Sequence, residues 1–441
     1  MRQELNTTLG VYRPSFLKIF IERSEDLADL NKLDDIPFAI FFHEYIHFIQ
    51  DITTVAGLSN ISNTVDFIKY CNGVILESPE KTFNIPIIPT PNDKDNVYIN
   101  MELRKSYLGD SYNSEIQSVK NISKVKVCFE DGKQKLFTDK INITYLNVVD
   151  EEKNYCFGNI SIMESMAFLC ESIVFNNILP APPKLPYSSA ELVIKQLYPE
   201  LLMDKLNIIA LCDASLFMFD AGPFFYEKIL LMKAEKWLPQ KPEDIYDFCY
   251  SNFKVEFQVA TDLTSFIRKV GDEAVIQLSS CFNSEYYEDN KHWIKYTIEN
   301  GICQRLSEPY FILDIIRGGN PKQNPKFSAI FKKFGMPLVT NQKDVLVFHS
   351  PIDDQYNLKP DALWVINQIF NIFCDYKPVG KEKRCELKMY CKETCLKLEQ
   401  DDFTNEKCND SPWERATEDP VCPFGAMWRT WSLIGFKPKS V

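Results

Sequence analysis

Residues 38–53, FAIFFHEYIHFIQDIT, are apolar on nearly every face of a helix, broken by His43, Glu44, His47, Gln50 and Asp51. A helix apolar all round belongs in a core, and polar groups carried into a core need partners there. Asp34 and Asp35 are placed to cap its first amides, and Pro37 falls in the first turn, where a missing N–H costs nothing. Before it, residues 15–22, SFLKIFIE, alternate as a strand; after it, residues 63–75 carry a helical period. Between 80 and 154 the pattern changes. Pro86, Pro89 and Pro91 precede strand-like stretches at 97–101, 124–130 and 141–149, with a turn at Asp131-Gly132, so a β-rich insertion is predicted. Residues 158–178, GNISIMESMAFLCESIVFNNI, return to a mostly apolar helix with one polar stripe: Ser161, Glu164, Ser165, Glu171 and Ser172. Further helices are predicted from Ser188 to about Phe257, at 261–276 and at 289–299, with a loop at 318–325 and a short strand at 345–348. The expected class is α+β, mainly helical.

His43 and His47 stand four residues apart, one helical turn, so both imidazoles can reach one metal ion. Glu44 then lies beside the ion without ligating it, placed to take a proton from an activated water and pass it to a leaving group. Gln50, seven residues after His43, returns to almost the same face, where it can meet a group that supports the ligands or a substrate. The stretch His43-Glu44-Tyr45-Ile46-His47 resembles the active-site helix of zincin metallopeptidases over roughly 15 residues. That resemblance implies a zinc hydrolase. It also implies a zincin-like core in which a sheet supports the helix and an edge strand pairs with an extended peptide.

A catalytic zinc takes three protein ligands and keeps an open position. Glu164 is the leading candidate for the third, with Glu171, His292, His349, Asp213 and Asp220 as alternatives; the competing reading of the stripe is a face turned to solvent. A glutamate from a downstream helix makes the site similar to the gluzincin subgroup, with two departures. The interval from His47 to Glu164 is long, so the insertion must loop out, and Phe168 stands four positions after Glu164, where that subgroup often has an orienting aspartate. An oxyanion donor is sought among His292, His349 and a tyrosine such as Tyr226.

Composition narrows the partners. A net charge of −12 with only a short basic patch at 381–384 argues against nucleic acid. The start, MRQELNTTLGVYRP, has no apolar signal core, and the apolar run at 36–49 is too short and too polar to span a bilayer, so a cytoplasmic protein is expected. Its 14 cysteines are then expected as reduced thiols or metal ligands. Cys374, Cys385, Cys391, Cys395, Cys408 and Cys422 crowd the last 68 residues. The last five are candidates for a structural zinc or an iron–sulfur cluster, against reduced cysteines packed as small hydrophobes; Cys422-Pro423 resembles a ferredoxin ligand pair. The expected organisation is a zincin-like region at 1–375, holding the 80–154 insertion, and a Cys-rich segment at 376–441. No phosphate-binding Gly loop, GxSxG elbow or internal repeat appears. The expected function is zinc-dependent hydrolysis of a protein or peptide substrate, without a nucleic-acid or membrane partner. The alternatives are a non-catalytic interaction protein on a zincin-like scaffold and a zinc hydrolase of a non-peptide amide.

Overall fold

The computed structural model describes residues 5–439 apart from 7–9, 24, 26, 28, 92–95, 131–134, 252–261, 343–345, 353–355, 375–384, 398 and 400. The fold is mixed α and β and mainly helical. Its central helix, Asp35–Thr53, is buried from Pro37 onward, as an all-apolar helix must be. Asp34 occupies the N-cap position without a side-chain cap bond; Asp35 instead pairs with Lys322 at 3.2 Å. Thr54, in extended conformation, separates this helix from the next, Val55–Leu76, and its side chain accepts from the Gly57 amide at 3.1 Å. The helix expected at 63–75 is the second half of that longer one.

A five-stranded sheet lies against the central helix, in the order Leu5–Asn6, Gly10–Arg13, Lys18–Ile21, Met336–Asn341, Leu346–His349. All neighbours are antiparallel except Lys18–Ile21 with Met336–Asn341, which run parallel. The strand expected at 15–22 is shorter because Ser15 and Leu17 take positive φ, 69° and 46°, and turn the chain before it extends.

The insertion is partly helical. Val97–Leu108 is a helix, although its Val, Tyr and Ile suggested a strand at 97–101. Tertiary contact decides the matter: the buried Arg104 of this helix donates to Asn60 Oδ1 at 2.8 Å and Thr64 Oγ1 at 2.9 Å, both on Val55–Leu76. Three antiparallel strands follow, Ile116–Glu130, Lys135–Asn147 and Glu152–Phe157; the turn expected at 131–132 lies outside the described residues. The last strand delivers the chain through Gly158 into the helix Asn159–Val174. A Cβ on Gly158 would sit 2.6 Å from Tyr107 O and 2.7 Å from Gly109 N, so only glycine lets the insertion close at this crossing.

The C-terminal segment packs on the same core. Lys437–Lys439 pairs in parallel with Thr82–Asn84, the Trp431 indole donates to Cys281 O at 2.9 Å, and the helix Pro423–Thr430 lies on Ala362–Cys374. Among the described residues no helix is long and apolar enough to cross a membrane.

A buried ion pair holds the far end of the central helix. Arg305 donates to both Asp213 oxygens, at 2.6 and 2.8 Å, and to Thr53 Oγ1 at 3.1 Å, while the Tyr246 hydroxyl donates to Asp213 at 2.7 Å. Removing one partner strands a charge in the core. Arg305→Ala is expected to destabilise the fold by about 3–5 kcal/mol, read by chemical denaturation, whereas a loss below about 1 kcal/mol would mean that Asp213 finds other compensation.

Candidate metal centre

Two buried helices supply the site. His43 and His47 project from Asp35–Thr53, and Glu164 from Asn159–Val174. His43 Nε2 lies 3.3 Å and His47 Nε2 3.5 Å from Glu164 Oε2. Their three ligand atoms all fall within 4.8 Å of one another, and no other such group of three His, Cys, Asp or Glu occurs among the described residues. The exposures of His43, His47 and Glu164 are 3, 0 and 1 %, so bulk solvent does not reach these groups.

Gln50 sets the orientation. His47 Nδ1 donates to Gln50 Oε1 at 2.8 Å, and Gln50 Nε2 donates to Met163 O at 3.1 Å. The amide thus fixes the His47 ring and ties the two ligand-bearing helices together. With the Nδ1 proton committed, Nε2 is the coordinating nitrogen, and it has no well-formed hydrogen bond despite complete burial. A buried nitrogen 3.5 Å from a carboxylate and beside a second imidazole fits a metal ion, and two imidazoles with one carboxylate form a donor set that can hold one.

Electrostatics point the same way. Burial alone would lower His47, but the Glu164 carboxylate outweighs it, and Glu44 and Gln50 add to that effect, raising the imidazole to about 9. Burial alone would raise Glu164; the two imidazoles outweigh it and hold the carboxyl at about 2. His43 is lowered, chiefly by burial. In the metal-free chain a proton therefore sits on His47 against Glu164, in the place a cation would take.

Glu44 is fully buried beside the group, and backbone geometry makes room for it. A Cβ on Gly10 would lie 2.7 Å from Glu44 Oε1 and 2.8 Å from Ile40 Cγ2, so the strand Gly10–Arg13 can pass over the helix only without a side chain there. Next along that strand, Tyr12 stacks on His47 with ring centroids 6.2 Å apart and donates to Asp51 Oδ2 at 2.9 Å, while the Ser15 amide donates to the same oxygen at 2.8 Å. Tyr187 completes the surroundings. Its ring centroid lies 6.2 Å from that of His43, and burial, with Glu164 and Glu44 nearby, keeps its hydroxyl protonated.

The other candidate ligands lie elsewhere. Asp213 serves Arg305, and Asp220 accepts from Thr138 at 3.1 Å. His292 and His349 are exposed, the first against Tyr356 and the second on Phe331. Tyr226 lies on Ala221–Glu235, outside this group. The polar stripe does not face solvent: Ser161, Glu164, Ser165, Glu171 and Ser172 are all buried. Glu171 lines a cleft with Ile40, His43, Phe168, Leu179 and Tyr187, where burial raises its carboxyl to about 7. Tyr187, Tyr12 and Gly10 carried no signal in the sequence, since none stands at a motif spacing. Cys385, Cys391, Cys395, Cys408 and Cys422 are buried free thiols. No family model, curated protein or solved structure matches this chain.

The first expected outcome concerns the third ligand. Glu164→Ala should weaken metal retention sharply and Glu171→Ala should leave it nearly intact, as measured by metal content after dialysis; the reverse ranking would remove Glu164 from the group. Gln50→Ala should lower metal affinity about 10–100-fold without unfolding the chain.

The second concerns protons. Because His47 is protonated up to about pH 9 without metal, metal uptake at neutral pH must displace that proton, so affinity should fall about tenfold per pH unit on acidification. Calorimetry in buffers of different ionisation enthalpy reads the number released, and a value near zero would contradict the arrangement.

Proposed function

We propose that this chain is a zinc-dependent peptidase, with His43, His47 and Glu164 holding the metal and Glu44 acting as general acid and base. The observation that carries the reading is the fully buried Glu44 side chain next to a His–His–Glu group whose three ligand atoms lie within 4.8 Å of one another. A group that served structure alone has no use for a base at that position. Zinc held there would supply Lewis acidity to a water and to a scissile carbonyl. Glu44 takes the proton of the attacking water and returns it to the leaving amine. Gln50 keeps the His47 ring turned toward Glu164 throughout. Tyr187, with a hydroxyl that stays protonated, can donate to the developing oxyanion. The narrow cleft walled by Ile40, Phe168, Glu171, Leu179 and Tyr187 reaches His43 and gives the side from which a substrate would approach.

The burial of the whole group favours one competing reading, a non-catalytic interaction protein in which zinc serves the fold. The Glu44→Gln variant separates the two. It preserves shape while removing the basicity that proton transfer needs, so it should keep fold and zinc but lose about 10²-fold or more in hydrolysis. Protein termini generated in cells or lysate by the wild type and by the variant, compared by mass spectrometry, give the readout. Identical sets from two folded, zinc-loaded proteins would reject the peptidase reading and leave the structural one.

A further inference from the structure

Glu171 is a buried acid that neither the metal group nor the packing of the helices uses. It stands seven residues after Glu164 on Asn159–Val174, so the two side chains share a face. Its exposure is 3 %, and among the described residues no hydrogen bond or ion pair reaches its carboxylate. Burial alone acts on the carboxyl and raises it to about 7, whereas Glu164, just as deep, is held at about 2 by its two imidazoles. A carboxylate placed this deep without a partner costs free energy that nothing in the chain offsets.

This acid borders open space. It lines the cleft that reaches His43, and the walls around it are Ile40, Phe168, Leu179, Pro180, Pro182 and Pro183. Apolar walls around one carboxylate suit a group that is aliphatic along its length and cationic at its tip. The cavity volume is about 30 Å³, room for one or two water-sized groups. An ammonium with its last methylene fits that space; a planar guanidinium, with four heavy atoms, is too broad.

Reach separates two sources of an ammonium. A helix rises about 1.5 Å per residue, so Glu171 lies about 10 Å along the axis from Glu164. The α-ammonium of a peptide is one Cα away from the carbonyl of its first residue, and a carbonyl held beside His43 and His47 leaves that group short of Glu171. An extended lysine side chain carries its ammonium about 6 Å beyond its Cα and closes the interval.

We propose that Glu171 determines specificity by receiving the ammonium of a lysine side chain next to the scissile bond. The substrate part of this assignment rests on the peptidase reading; the cation site does not. The site is read without turnover, by NMR titration of the full-length, zinc-loaded Glu44→Gln chain with n-butylammonium, which stands in for the end of a lysine. It should bind about 10- to 100-fold more tightly than n-butanol or n-butylguanidinium. Adding Glu171→Gln, which matches the neutral acid in shape, should remove that preference. Absence of n-butylammonium binding, or equal binding by the Glu171→Gln chain, would overturn the site. Turnover of a peptide library by the wild type then tests the lysine. Cleavage beside lysine is expected about 10- to 100-fold above cleavage beside methionine, lost when lysine side chains are acetylated and kept when only the peptide N-termini are. Dependence on a free N-terminus would overturn the lysine in favour of an α-ammonium. Ammonium binding at Glu171 with no peptide cleaved would overturn the substrate assignment together with the peptidase reading and leave the cation site standing.

Discussion

The contact on which the rest of the structure depends is the one between the Glu164 carboxylate and the two imidazoles of His43 and His47. Three ionisable groups placed this deep would each be pushed toward neutrality, and a lone buried charge is among the costliest features a core can carry. Together they offset one another, because a single positive charge, on His47 or on a bound ion, satisfies the carboxylate. That requirement couples two helices 121 residues apart in sequence. It also explains the neighbouring devices: Gln50 bridging from His47 to the backbone at Met163, Gly158 allowing the second helix to start in contact with the end of Val97–Leu108, and Arg305 with Asp213 gripping Thr53 at the end of the first helix. Each removes a freedom by which the three groups could drift apart.

Much of this could be read from the chain before folding. The first helix announced itself through an unbroken apolar circumference, and its two histidines fell on one face by simple periodicity. Glu164 was legible for a related reason: a carboxylate in a helix as apolar as Asn159–Val174 must be either on a solvent face or paired inside, and burial of the whole stripe leaves only the second. What stayed hidden depended on contacts distant in sequence. Val97–Leu108 looked like a strand because local propensity favours β-branched and aromatic residues there, and the weight of Arg104 against Asn60 and Thr64 became visible only once the helices met. Gly10 could not be singled out among 15 glycines, since its role is the room it leaves for Glu44. Tyr187 was equally silent, being brought to His43 by the chain that follows the second helix.

The interior treats its two kinds of donor differently. Nitrogen and carboxylate oxygen meet at the centre of the helical core, within 4.8 Å of one another, while buried thiols are dispersed from Cys71, Cys170 and Cys212 in the central helices to Cys408 and Cys422 near the C-terminus. Among the described residues no thiol joins the His–His–Glu group, so its donors are two imidazoles and one carboxylate, a set suited to borderline metal ions rather than soft ones. The C-terminal segment docks through Trp431 on Cys281, through Lys437–Lys439 beside Thr82–Asn84 and through Glu386 on Lys18, at 3.3 Å, so it reaches the sheet that backs the central helix, and none of these contacts involves His43, His47 or Glu164.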